Sequence, residues 1–314
     1  MAGAAAQPAK TVVGLPVESV TVLGVKPSEA TIKSFVDTRT APTPFLGKMA
    51  RWDVKICPQT SGLKDVYVNY ITQRIRDIAT AVGAPVNRDP ACKPNIEVVF
   101  TTTPQALLDD IRKNEPEYLG YSNNSAEKDQ LAKVTHPIQA WYTTATQDID
   151  GAQQIDNPSC NNDLISAAQS AGVTQNGEMT TNMGFQLLRG ELAPCAKVVH
   201  ASGSRINNGL SSGLFNVLIV AEPTKLLDNE IGSLADYITM LALSQPKSLD
   251  SCQELPSISN MLAPGCANTP GRITDGDLAY LHALYKMSDG TGLEIQRDEI
   301  RLEMKKTLVT DKGG

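Results

Sequence analysis

The chain has 314 residues, 41% of them hydrophobic, enough to bury a core and to exclude disorder throughout; the length is a prior for one large domain or two modest ones. Its 28 basic and 34 acidic residues give a net charge of −6 with no basic stripe, which argues against nucleic acid as a partner. No run approaches the roughly 20 apolar residues of a membrane-spanning helix, and the most apolar stretch, "LFNVLIVAE", has strand length.

The start, "MAGAAAQPAK", resembles in its small residues the tail of an export signal with a Met placed just upstream of the cleavage region, so a periplasmic or secreted location is expected. Residues 1–45 are punctuated by Pro and read as a lead-in with one or two short strands and no long helical period. Residues 46–314 are expected to form a single domain. In it "RWDVKIC" alternates as a strand, "GLKDVYVNYITQRIRDIATAVG" is an amphipathic helix stopped by Gly83, and "PNIEVVFT" is a second strand. Along that helix Val66, Val68, Tyr70, Ile71, Ile75, Ile78 and Ala79 recur near helical spacing, and the unit predicts two parallel neighbouring strands. A helix follows from Thr103 as N-cap and Pro104 as first residue, and then a third strand in which Ile138, Ala140 and Tyr142 alternate. Residues 148–195 are polar and loop-rich and read as an insertion; beyond them "AKVVHAS" and "LFNVLIVAEP" are strands. The fold class predicted is α+β, a mostly parallel mixed sheet flanked by helices.

The six cysteines, Cys57, Cys92, Cys160, Cys195, Cys252 and Cys266, include no C-x-x-C pair and read as structural disulfides. Fifteen pairings are open to them. Pairing neighbours, Cys57 with Cys92, Cys160 with Cys195 and Cys252 with Cys266, closes three loops that each fall in one structural unit, and is the expected set.

"LLDNEIGSLADYITMLALSQP", residues 226–246, reads as one helix, with Thr224 as its N-cap after Pro223. Leu227, Ile231, Leu234, Ile238 and Leu241 step by four and three to form an apolar stripe, and Asn229, Glu230, Ser233 and Asp236 occupy the other faces. The order of elements up to this helix, then "ELPSISNML", then "GRITDGDLAYLHALYK", is similar to the metzincin branch of zinc peptidases. It also resembles a family of exported proteobacterial proteins that share a degenerate zincin-like core lacking the zinc ligands. Those peptidases need H-E-x-x-H because two histidines a helical turn apart reach one metal while the Glu acts as base on its water. Placed on that pattern, Asn229 stands for the first His, Glu230 for the base, Ser233 for the second His, Asp236 for a Gly and Thr239 for the third His. In the turn that follows, Ser259 holds the Met position and Met261 lies two residues on. The resemblance thus implies a zincin-like scaffold without metal or other cofactor, a pseudoenzyme used for binding or a structural role in the envelope, with an unknown protein or envelope component as partner.

The alternative is a hydrolase. His136, His200 and His282 fall in different elements, none with a second His at ligand spacing, and Asp228, Glu230 and Asp236 on a helix are first a solvated face. "GLSSG" matches the nucleophile pattern around Ser211, with Asp277 and His282 in the required chain order, but a strand leaves that motif where a helix should. "SGLK" matches S-x-x-K, yet Ser61 reads more simply as a helix N-cap. "DIDGAQQID", with Asp148, Asp150 and Asp156, lacks the terminal Glu of a calcium loop and reads as an exposed polar turn, and "DGTG" at Asp289 reads as a turn after the last core helix.

Overall fold

The computed structural model describes residues 18, 26–156, 209–267 and 269–310. Helix α1 spans Glu29–Arg39, capped by Ser28, whose hydroxyl accepts from Thr31 N at 3.0 Å. Strands β1 (Ala50–Arg51) and β2 (Pro58–Ser61) precede α2 (Asp65–Val82), and β3 is Ile96–Phe100. Helices α3 (Pro104–Asn114) and α4 (Ser125–Leu131) lead to β4 (Ile138–Gln147) and β5 (Gln153–Ile155). After β6 (Ser211–Ala221) come α5 (Ile231–Leu243), α6 (Asp275–Lys286) and α7 (Leu293–Thr310).

The strands make one mixed sheet in the order β2-β3-β6-β4-β5, with β1 also paired to β6. β2 lies parallel to β3, and β3 and β1 parallel to β6, while β4 runs antiparallel to β6 and β5 antiparallel to β4. The β2-α2-β3 unit is therefore the parallel crossover read from the sequence. Successive strand residues face opposite sides, and the burial follows: Ile96, Val98, Val217, Ile219 and Ala221 join the larger core with α1, α2, α5, α6 and α7. Leu218, Val220 and Trp141 join Leu108 and Leu119 in a smaller core under α3 and α4. Leu214 and Val217 differ in parity yet share the larger core, because the register shifts by a bulge at Thr143/Thr144.

Several expectations are corrected. Residues 29–39, read as lead-in, are a helix whose Ile32, Phe35 and Val36 are buried against α7 and the rest of the core. "RWDVKIC" is not one strand: Arg51 ends β1, Ile56 makes an isolated bridge to Val86, and the strand proper starts after Cys57. Trp52, next after β1, has its indole buried and donates Nε1 to Ala242 O of α5 at 2.8 Å. Ser61 ends β2 and caps nothing; Lys64 occupies the N-cap of α2, and Gly83 ends it with φ of 86° as expected. Thr103 does sit at the N-cap of α3, without a side-chain bond. Asp148 and Asp156 are not exposed: Asp148 Oδ1 accepts from Asp150 N and Ala152 N, and Asp156 accepts from the Thr144 and Thr146 hydroxyls at 2.6 and 2.7 Å.

Among the described residues two disulfides are present, Cys57–Cys92 and Cys252–Cys266. Cys57 immediately precedes β2, so the first bond ties the start of that strand to the segment before β3. The pair Cys160 with Cys195, the strand "AKVVHAS", His200 and the insertion beyond Asp156 lie outside the described residues. No described helix is long and apolar enough to cross a membrane.

Candidate functional site

The segment expected to be one helix from residue 226 begins differently. Pro223–Lys225 form a single 3-10 turn, and α5 starts only at Ile231, with Glu230 at its N-cap and no side-chain capping bond. Leu227 is 83% exposed and belongs to no stripe. From Ser233 to Leu243 every residue is buried, so α5 is a helix enclosed on all sides rather than amphipathic. Enclosure leaves its last carbonyls needing donors, and three aromatic side chains supply them. Trp52 serves Ala242 O, Tyr285 serves Leu243 O at 2.8 Å, and Tyr142 serves Leu241 O at 2.9 Å and Ser244 O at 3.2 Å.

The positions that stand for a zinc motif are committed elsewhere. Asn229 precedes the helix, so it and Ser233 do not share a helical turn. The Ser233 hydroxyl donates to Gly271 O at 2.5 Å, and Thr239, fully buried, donates to Ala235 O of its own helix at 2.7 Å. Asp236 pairs with Arg74 of α2, Nε to Oδ1 at 2.6 Å, and its Oδ2 accepts Ile273 N at 2.8 Å. Glu230 is exposed at the start of the helix. A carboxamide and two hydroxyls already used as donors do not make a zinc site. Among the described residues no three His, Cys, Asp or Glu side chains are placed to hold a metal ion.

The turn Ile258–Met261 is fixed from below by a buried polar chain. Arg39 Nη2 donates to Ser257 Oγ at 3.2 Å, and Ser257 Oγ to Asp277 Oδ1 at 2.5 Å. Asp277 Oδ2 accepts Ile258 N and Thr274 N at 2.9 and 3.1 Å, completing a capping box at the start of α6. Burial raises the Asp277 carboxyl above its ordinary value, opposed by the Ser257 hydrogen bond and the Arg39 charge; burial likewise lowers the Arg39 guanidinium, opposed by Asp277. Asp277 is therefore engaged in structure, and His282, on the exposed side of α6, is not joined to it. Ser211 opens β6 opposite Gln147. No Ser-His-Asp arrangement is assembled from these three.

An open edge lies along β4. Strand β5 pairs with Ala145, Thr146 and Gln147, Asp156 just after it donates its N–H to Thr144 O at 2.9 Å, and among the described residues no strand pairs with the outer side of residues 138–143. Val217 donates its N–H to Asn95 O and Ala221 O accepts from Thr101 N, so both turn their backbone toward β3. Their β4 partners Tyr142 and Ile138, and Ala140 between them, consequently point their N–H and C=O groups outward. A groove of about 490 Å³ runs along this edge, with Gly120, Tyr121 and Leu131 on one wall and Pro44 and Gln245 on the other. It continues past Gln139, Ala140 and Tyr142 into a second hollow of about 270 Å³ walled by His136 and residues 246–250. His136 Nε2 lies 2.9 Å from Asp250 Oδ1, joining the strand's start to that wall. Gly120 (φ 91°) is required where it stands, because a Cβ there would lie 2.5 Å from Tyr142 O. The alternation of β4 was legible in the sequence, but its unpaired edge depends on residues far away in the chain, and so do Arg39 and Arg74 as partners of α6 and α5.

The chain matches no protein-family model, no curated protein and no solved structure.

Proposed function

We propose that the chain is an exported binding protein on a zincin-like scaffold that carries out no zinc chemistry, and that the groove along β4 takes an extended segment of a partner polypeptide. The order of elements supports the scaffold: parallel β2-α2-β3, then β6, α5, the 258–261 turn and α6 follow one another as the metzincin resemblance requires. The two disulfides support export. The observation that carries the binding role is the edge of residues 138–143, which no described strand pairs, along a groove where main-chain groups can extend the sheet by one strand. An extended peptide gains hydrogen bonds from the outward N–H and C=O of Ala140 and apolar contact from the half-buried Leu131, while Gly120 packs over Tyr142 O and marks the end of the open edge.

Ala140→Pro is the test. The Ala140 N–H faces the groove rather than β6, so proline there removes a groove donor without breaking a ladder bond. Peptides selected from a displayed random library should bind the wild type at the β4 edge, protecting the Ala140 amide from hydrogen exchange, and should lose binding to Ala140→Pro while the variant keeps its fold. Selected peptides that bind both proteins equally would sink the edge as the site. Stoichiometric zinc with chelator-sensitive peptidase turnover in tag-free protein, or an esterase activity abolished by Ser211→Ala, would sink the non-catalytic reading.

A further inference from the structure

One face of α2 presents Tyr67, Tyr70 and Arg74 at positions i, i+3 and i+7, with Val66 alongside. Val66 is 67% exposed, Tyr67 42% and Tyr70 44%, an apolar row at the N-terminal half of the helix. The row runs beside α5: Tyr70 Oη lies 3.5 Å from where a Cβ on Gly232 would stand, and four residues on in both helices Arg74 meets Asp236. At the Arg74 end, Arg74 Nη2 donates to Glu18 O at 3.1 Å, and Arg272 Nη1 lies 3.0 Å from Glu18 Oε2. A residue near the chain start is thus held between two guanidiniums from α2 and from the segment before α6.

The residues leading into Glu18, "TVVGLPV" at 11–17, carry no charge and include Val12, Val13, Leu15, Pro16 and Val17. Extended, seven residues reach roughly 23 Å, whereas α2 rises only about 12 Å from Val66 to Arg74. Residues 11–17 lead into Glu18 at the Arg74 end of the row and are long enough to cover it. We propose that this face of α2 is the docking surface for the chain's own residues 11–17, with Glu18 as the anchor that sets their position.

A photoreactive p-benzoylphenylalanine in place of Tyr67, in the full chain, tests it. Irradiation should give a cross-link within one chain, with a yield independent of protein concentration, that mass spectrometry maps to residues 11–17. Its yield should fall several-fold in Glu18→Lys and in the double variant Val13→Asp with Leu15→Asp, while circular dichroism stays unchanged. A probe in place of Tyr70 should report the same segment. Cross-links to other parts of the chain, cross-links between copies that grow with concentration, or no cross-link from either probe would each overturn the proposal. None of these outcomes depends on peptide binding at β4.

Discussion

Tyr142 joins the sheet to the end of α5 at the level of one side chain. Its backbone faces the groove, its ring packs against the main core, and its phenol caps the C-terminal carbonyls of α5. Burial holds the phenol well above its ordinary value, so it remains a donor across the physiological range. Tyr142→Phe keeps the ring and removes only the donor, leaving Leu241 O buried without that partner, and should cost about 1–3 kcal/mol in urea unfolding. The fold should survive, because Trp52 and Tyr285 still serve Ala242 O and Leu243 O. A loss below about 0.5 kcal/mol, within the spread of ordinary surface substitutions, would mean that Leu241 O finds water or another donor. The same residue sets the limit of sequence reading at this scale: alternation placed Tyr142 on the core side of a strand, but nothing local announces that its hydroxyl reaches α5 about a hundred residues later.

Helix α1 shows what one element contributes and why it was not legible. Only Ile32, Phe35 and Val36 of its residues are buried apolar side chains, too few to mark a helical period, and its polar contacts are distant. Asp37 receives Lys33 from its own helix and Arg301 from α7, and Glu29 pairs with Lys305. At Asp37 burial pulls the carboxyl up, but the hydrogen bonds and charges of Lys33 and Arg301 outweigh it and hold the group below the ordinary aspartate value of 3.8. Folding therefore favours the charged form. The resulting stability is complete above the ordinary value and is lost as pH falls through the lower folded-state value. Asp37→Asn should lower stability by about 0.5–1 kcal/mol at pH 7, and thermal melts of variant and wild type should converge as the pH drops below 3.8. A gap that persists unchanged in acid would remove Asp37 from the α1–α7 contact. By contrast α2, β3, α3 and β4 were readable because each combines a strong period with a local stop or start, Gly83 and Pro104 among them. For α5 the composition was readable but its start was not, since neither Thr224 nor Glu230 makes a side-chain cap and the turn at Pro223–Lys225 intervenes.

At the scale of the whole molecule, the two disulfides brace different parts of one sheet-and-helix body. Cys57–Cys92 encloses β2 and α2 across 35 positions, and Cys252–Cys266 encloses the 258–261 turn across 14. In the chain-entropy account the longer loop contributes about 4 kcal/mol and the shorter about 3 kcal/mol, by restricting the unfolded chain. The shorter one also acts on a segment already fixed from below: Asn260 accepts Gln253 N and donates to Gln253 O, and Ser257 and Ile258 bind Asp277. Replacing Cys252 and Cys266 with Ala together should therefore cost about 3 kcal/mol in denaturant unfolding while native-state hydrogen exchange at Ile258 and Ser259 stays slow. The Cys57 and Cys92 pair, replaced in the same way, should cost about 1 kcal/mol more and speed exchange across β2 and β3, whose register its loop leads into. If both replacements cost nothing, restriction of the unfolded chain is not what the bonds supply. If exchange at Ile258 becomes fast in the first, the turn depends on its disulfide rather than on the Arg39, Ser257 and Asp277 chain beneath it.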